Sequence, residues 1–154
     1  MTKKNFIHYT WKEFEQDCIK LAHEVPKTDW IVCVRGNRVG GSMLANMIGE
    51  ITKNKNITSI NYKYDETEGK KHVRNVVPNH PRLESKFILL CTEISNSGVM
   101  LRRALEDLVL HGNHVITVAL HYRFGSVLIP HYYAKLVKSD VEYPWERVAK
   151  GLGK

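Results

Sequence analysis

The chain has 154 residues, 43% of them hydrophobic and 25% charged, enough for a single domain (residues 1–154) with an ordinary core, which excludes a collagen, a mucin-like stalk or a wholly disordered chain. No apolar run approaches the ~20 residues of a membrane helix, and no apolar segment follows Met1-Thr-Lys-Lys-Asn5 as a secretory signal requires, so a soluble, cytoplasmic protein with no membrane partner is expected. Lys and Arg number 23 against 16 Asp and Glu, a formal charge of +7, which favours an anionic partner such as nucleic acid, anionic lipid or a polyphosphate metabolite.

The first predicted element is a helix from Thr10 to Val25, in which Trp11, Phe14, Cys18, Leu21, Ala22 and Val25 recur on one face. Thr10 and Glu13 have the spacing of a capping box, and Pro26 stops the helix. Trp30-Ile-Val-Cys-Val34 is a short continuous apolar run, the pattern of a strand buried on both faces. It gives way to Arg35-Gly-Asn-Arg-Val-Gly-Gly41 and then to a helix from Ser42 to Glu50 with Met43, Leu44, Met47 and Ile48 inward. A second strand is expected from Ile57 to Tyr64. The polar segment 65–86, with Gly69, Pro78 and Pro81, has no clear period and reads as a flexible lid, a binding loop or an unrecognised hairpin.

The alternation then repeats. Phe87 to Cys91 is a buried strand, Thr92 to Gly98 a polar turn, and Val99 to Leu110 a helix ended by Gly112. His114 to Tyr122 is a further strand, and Val141 to Tyr143 a short last one before Pro144. Such alternation implies an α/β fold with a mostly parallel, twisted sheet covered by helices on both faces. Ligands of these sheets bind where strand ends meet loops.

Two strand-end turns therefore carry the chemistry. Glycines in the turn Arg35–Ser42 let backbone N–H groups approach a phosphate, its two arginines can neutralise one, and a helix N-terminus follows. It is neither a Walker loop nor a dinucleotide fingerprint, and tight helix packing alone would also account for its glycines. The turn Thr92-Glu-Ile-Ser-Asn-Ser-Gly98 offers hydroxyls and amides that can cradle a phosphate monoester and a carboxylate that can accept from sugar hydroxyls. Simple capping by Asn96 or Ser97 would explain the same residues.

Taken together, the segments carry a family resemblance. Phe87-Ile-Leu-Leu-Cys-Thr-Glu-Ile-Ser-Asn-Ser-Gly-Val-Met-Leu101 resembles the phosphoribosyl diphosphate (PRPP) signature of type I phosphoribosyltransferases, in degenerate form. Trp30 to Ala45 resembles the strand and pyrophosphate loop of the xanthine-guanine and hypoxanthine members. Leu120–Arg123, Pro130–Lys135 and Tyr143–Glu146 are similar in spacing to their base-binding hood. The resemblance implies a small C-terminal hood, roughly residues 123–146 with N-terminal residues, and transfer of a 5-phosphoribosyl group from PRPP, with Mg²⁺, to a purine or purine-like base. It further implies that Ser95, Asn96, Ser97, Gly98 and Val99 hold the 5′-phosphate, and that Glu93 faces the ribose hydroxyls and, weakly, a metal carried mainly by PRPP. Arg35, Gly36 and Asn37 would hold the pyrophosphate, Arg123, Asp140 and Val141 the base. The segment with Tyr64 and the loop after it would be the lid that excludes water from a reactive sugar cation, and a homo-oligomer would be expected.

The chain departs from the family pattern at Thr92 and Glu93, where two acids, usually Asp, are found, and at Asn96, where the general base stands. An amide takes no proton at neutral pH, and losing a positioned base costs roughly 10²–10⁴ in rate. Arg123 replaces a lysine that reads an exocyclic oxygen, and Asp140 replaces a stacking aromatic, offering instead a carboxylate to an amino group. These departures keep two alternatives open: an impaired relative that binds PRPP or a nucleotide as a sensor or regulator, and an enzyme whose acceptor needs no base.

The remaining features read as structural. His111, His114, His121 and His131 form no metal motif. Cys18, Cys33 and Cys91 sit in apolar stretches and read as reduced core residues. Tyr122, Tyr132, Tyr133, Tyr143 and Trp145 could stack nucleobases of RNA, but packing of the hood is the commoner explanation. Lys70, Lys71, His72 and Arg74 read as a solvated loop.

Overall fold

The computed structural model describes residues 4–36, 38–67, 69–75 and 82–152. After a two-residue strand, β1 (Ile7–His8), comes helix α1 (Trp11–Glu24). Its capping box forms as the spacing predicts: the Glu13 amide donates to Thr10 Oγ1 at 3.1 Å, and the Thr10 amide donates to Glu13 Oε2 at 2.8 Å. Val25 is already extended, as a residue before proline prefers, and the helix ends there.

The centre of the domain is built by β2 (Trp30–Arg35) and β5 (Phe87–Ser95), paired in parallel from Trp30↔Ile88 to Cys33↔Cys91. Both are buried on two faces, which explains their unbroken apolar runs. Ile31, Cys33, Leu89 and Cys91 enter a core shared with α1 and with α2 (Gly40–Thr52). Val32, Val34, Ile88 and Leu90 enter a second core, against Leu101, Ala104 and Leu108 of α3 (Val99–Val109). Helices thus cover both faces of one sheet. The remaining strands are β3 (Ile57–Thr67), β4 (Lys70–Asn75), β6 (His114–Arg123) and β7 (Tyr132–Val137), in the spatial order β4-β3-β2-β5-β6-β7. Every neighbouring pair is parallel except β3 and β4.

The polar stretch after Tyr64 is not all loop. β3 continues to Thr67 and turns at Gly69, φ 72°, into antiparallel β4, so the part of the expected lid from 65 to 75 is largely a hairpin. Its register sets Glu66 opposite Lys71. Residues 76–81 lie outside the described residues. β5 also runs to Ser95, into the expected turn, because β6 goes on pairing with it through Ile94↔His121 and Ser95↔Tyr122.

Within the expected hood segment, Tyr132–Val137 is the last strand of the main sheet. The small accessory layer consists of β1 paired in parallel with β8 (Val141–Glu142), followed by α4 (Pro144–Leu152). Arg147 locks it together, donating to the carbonyls of Tyr9 at 2.6 Å and Glu142 at 3.0 Å. Cys18, Cys33 and Cys91 are buried and unpaired. Among the described residues no helix is long and apolar enough to cross a membrane.

Candidate functional site

Because β2 and β5 are parallel neighbours, the turns that leave them emerge on the same rim. There they share a cavity of about 280 Å³, lined by Gly36, Arg38 and Gly41 from the first turn and by Thr92 to Gly98 from the second. Tyr62 and Tyr64 of β3 form another wall. A second cavity of about 210 Å³ is lined by Asn96, Arg123, Asp140 and Val141, with Glu142 and Glu146 beside them. Arg38, Ile94 and Asn96 line both, so the two spaces meet at these residues.

The second turn is held rigidly by the segment after β6. Ser95 is buried, and its hydroxyl donates to the Leu128 carbonyl at 2.7 Å and lies 2.9 Å from Ser126 Oγ. The Val127 amide donates to the Ser97 carbonyl at 2.9 Å. Between them Gly98 adopts φ 83°, and a Cβ there would lie 2.3 Å from Ser126 Oγ, so both backbone and space require glycine. The outcome is a fixed loop at the start of α3, where a helix offers its first amides and positive dipole end, beside the first cavity. Ser97 Oγ accepts from the Val99 amide over a long 3.4 Å, which leaves that hydroxyl weakly engaged.

Glu93 points inward and is only 3% exposed. Arg38 Nη1 donates to its Oε2 at 2.9 Å, and Trp145 Nε1 donates to its Oε1 at 2.7 Å. Arg38 Nη1 is also 3.4 Å from Glu146 Oε1. Burial pushes the Glu93 carboxyl above the ordinary range, opposed by the Arg38 and Trp145 bonds. A Cβ on Gly40 would fall 2.2 Å from Glu93 Oε1 and 2.7 Å from Trp145, so the glycine clears room for this arrangement.

In the second cavity Arg123 pairs with Asp140 through a short contact, and its Nη1 donates to Asn96 Oδ1 at 3.4 Å. The Arg123 bond holds the Asp140 carboxyl below the usual range. Three cations (Arg38, Arg123, Lys150) and three carboxylates (Asp140, Glu142, Glu146) line this cavity. Such a lining suits a neutral ligand with alternating donors and acceptors better than a polyanion.

Of the residues expected at the phosphate, Ser95, Asn96, Ser97 and Gly98 line the first cavity, while Val99 is exposed beside it. Of the pyrophosphate set, Gly36 lines it, Arg35 is exposed at the end of β2 outside the lining, and Asn37 lies outside the described residues. The base set Arg123, Asp140 and Val141 is brought together in the second cavity. What sequence reasoning missed is the pivotal place of Arg38 and its link to Trp145 and Glu146; the basic turn and the Tyr-Pro-Trp-Glu segment were visible, but not their convergence. A protein-held Mg²⁺ fits these residues poorly. Thr92 offers no carboxylate, both Glu93 oxygens are already donated to, and among the described residues no three acidic, His or Cys side chains converge.

No family model matches the sequence, and no curated protein is significantly similar to it. Among solved structures, a purine phosphoribosyltransferase from Pyrococcus horikoshii superimposes with a TM-score of 0.83 at 22% identity, over 91% of this chain and 93% of that one. This chain has the phosphoribosyltransferase fold. The xanthine-guanine-hypoxanthine phosphoribosyltransferase of Helicobacter pylori shares the fold at a TM-score of 0.75 and 20% identity, over 97% and 99% of the two chains. A Neisseria gonorrhoeae protein with bound ppGpp matches at 0.73 and 21%, over the whole of both chains. Within this fold, the rim where the two turns meet is the carboxyl end of the parallel strands, where open α/β sheets take their ligands.

Proposed function

We propose that this protein is a phosphoribosyltransferase that moves the 5-phosphoribosyl group of PRPP to a ring nitrogen of a purine or purine-like base and releases pyrophosphate. The observation that supports this reading is the pair of cavities meeting at Arg38, Ile94 and Asn96: an amide-lined cradle on one side, a charge-balanced pocket on the other. A ligand spanning them places its phosphate at Ser95–Gly98 and its ring beside Arg123 and Asp140. In the transfer, the bond from the anomeric carbon to pyrophosphate breaks, a carbon–nitrogen bond forms, and the ring nitrogen's proton leaves. Asn96 cannot take that proton, so it passes to solvent or has already left the acceptor. Binding and orientation supply most of the catalysis. The expected Mg²⁺ reaches the site on the donor's diphosphate rather than on the protein's carboxylates.

Titration calorimetry with PRPP and Mg²⁺, followed by a pyrophosphate-release screen over guanine, xanthine, hypoxanthine, adenine and modified bases, tests the proposal. Release with one base supports transfer and identifies the acceptor. Donor binding without release for any base supports the second reading, a nucleotide- or PRPP-binding regulator. Two observations favour that reading: the engagement of Glu93 by Arg38 and Trp145, and the ppGpp held by the neisserial neighbour of equal extent.

A further inference from the structure

Arg38 is the residue whose position the proposed chemistry leaves unexplained. It stands at the junction of the two cavities, half exposed, with one nitrogen, Nη1, donating to Glu93 at 2.9 Å and facing Glu146 at 3.4 Å. Two carboxylates this close to one point would repel each other and would draw in a cation from solution. The guanidinium supplies that cation from the chain itself. It is placed by the first turn, and Gly40, two residues on, leaves the space in which Glu93 and Trp145 sit. Among the described residues, no hydrogen bond or ion pair engages Arg38 through Nε or Nη2. A planar guanidinium with one edge committed and another open is suited to bind an oxyanion in bidentate fashion.

We infer that Arg38 is a built-in counter-ion: it occupies the place between Glu93 and Glu146 that a protein-held divalent ion would otherwise fill, and it offers its open edge to the ligand's diphosphate. The site therefore takes a diphosphate without a metal ion held by the protein. This deepens the proposed function and rests on its reading of PRPP as the donor, with the diphosphate at the first turn as the family resemblance implies.

Two measurements on the whole chain test it. The first is titration calorimetry of inorganic pyrophosphate in EDTA, and the second is Mn²⁺ binding to the ligand-free protein followed by electron paramagnetic resonance. The wild-type protein is expected to bind pyrophosphate in EDTA and to leave Mn²⁺ free. Arg38→Ala should weaken pyrophosphate at least tenfold and, by releasing Glu93 and Glu146, gain a Mn²⁺ site that Glu93→Gln in the same background removes. Arg38→Lys, which keeps the charge, should still exclude Mn²⁺, and it provides the reading if Arg38→Ala does not fold. Mn²⁺ bound by the wild-type protein and lost in Glu93→Gln would overturn the inference, as would pyrophosphate binding unchanged in Arg38→Ala. Neither assay requires turnover, so an absence of phosphoribosyl transfer would sink the proposed function while leaving this result to stand on its own.

Discussion

Gly40→Ala is a small change that probes the whole Glu93 arrangement. The added Cβ would sit 2.2 Å from Glu93 Oε1, 2.6 Å from Glu93 Cγ and 2.7 Å from Trp145 Cζ2. The carboxylate cannot swing away cheaply, since Arg38 and Trp145 hold its two oxygens and the residue is buried. Trp145 is itself stacked on Tyr143 with ring centroids 4.9 Å apart and packs edge-on against Phe14 at 5.4 Å. Overpacking costs about 1–3 kcal/mol, and weakening buried charge-assisted hydrogen bonds about 1.5–3 kcal/mol more. Replacing glycine in the first helical turn returns up to about 1 kcal/mol. The net loss is about 1.5–6 kcal/mol, which in a domain of this size lowers Tm by about 3–24 °C. Gly151→Ala is the matched control: it also lies in a helix, has no atom within 4 Å of the new Cβ, and should be neutral or slightly stabilising. Urea unfolding and thermal melts of both variants measure the difference. A Gly40→Ala protein within about 0.5 kcal/mol of wild type would mean that Glu93 and Trp145 are not held as described.

Three further outcomes follow from the same geometry. Burial, with a smaller contribution from Lys135, lowers the His121 pKa to about 4. The unfolded chain therefore takes up this proton first as the pH falls from about 6.5, and stability drops by about 3 kcal/mol by pH 4; urea titrations across that range should show the slope in the wild type and a flatter one in His121→Gln. Asn96→Asp places a carboxylate where Arg123 Nη1 now meets the Asn96 amide oxygen at 3.4 Å. With a purine acceptor, pyrophosphate release should rise by about 10²-fold, and an unchanged or lower rate would count against a purine. Arg35, which the resemblance assigns to the diphosphate, is exposed outside the lining of the first cavity, so Arg35→Ala should leave PRPP affinity within about twofold in calorimetry; a loss of about tenfold or more, with a nucleoside monophosphate unaffected, would return Arg35 to the diphosphate site.

How far the sequence can be read is decided by the range of the forces involved. Helix α1 was legible down to its capping box, because Thr10, Glu13 and Pro26 act over a few residues. The runs at Trp30 and Phe87 were legible because burial on two faces leaves no place for polar residues. The strand character of Glu93 and Ser95 was not. Polar side chains within a buried strand are stable only because of partners elsewhere in the chain: Arg38, 55 residues from Glu93, Trp145, 52 residues away, and Leu128, 33 residues from Ser95. The β3–β4 hairpin was legible only as one of three readings of the segment, since the sequence there has no clear period. Its second strand, β4, is the edge of the sheet and pairs with β3 on one side among the described residues. β7 has a mixed burial pattern and pairs on one side only, and its Tyr-Tyr-Ala-Lys-Leu-Val run carries no strict period. At the site, both turns could be read from their own residues, and the Arg123, Asp140 and Asn96 cluster only from the family resemblance. The convergence of Arg38, Glu93, Trp145 and Glu146 could not, because no local pattern encodes it.

The two cavities divide recognition by physical principle. The first is lined by one cation and one carboxylate, Arg38 and Glu93, already paired with each other. On the proposed function, the 5′-phosphate is therefore held by the amides that open α3 and by the helix dipole, fixed in direction by the bonds to Ser126, Val127 and Leu128, and the open edge of Arg38 is left for the diphosphate. The second holds its charges in balance, the lining that the proposed function assigns to a ring with donors and acceptors along its edge and no net charge. Neither kind of recognition depends on whether bonds are made or broken at the junction. A transferase and a nucleotide-binding regulator could share every wall of this site and differ only at two positions: whether Asn96, at the junction, has any proton to handle, and whether Glu93, in the first cavity and held by Arg38 and Trp145, can still act on a sugar.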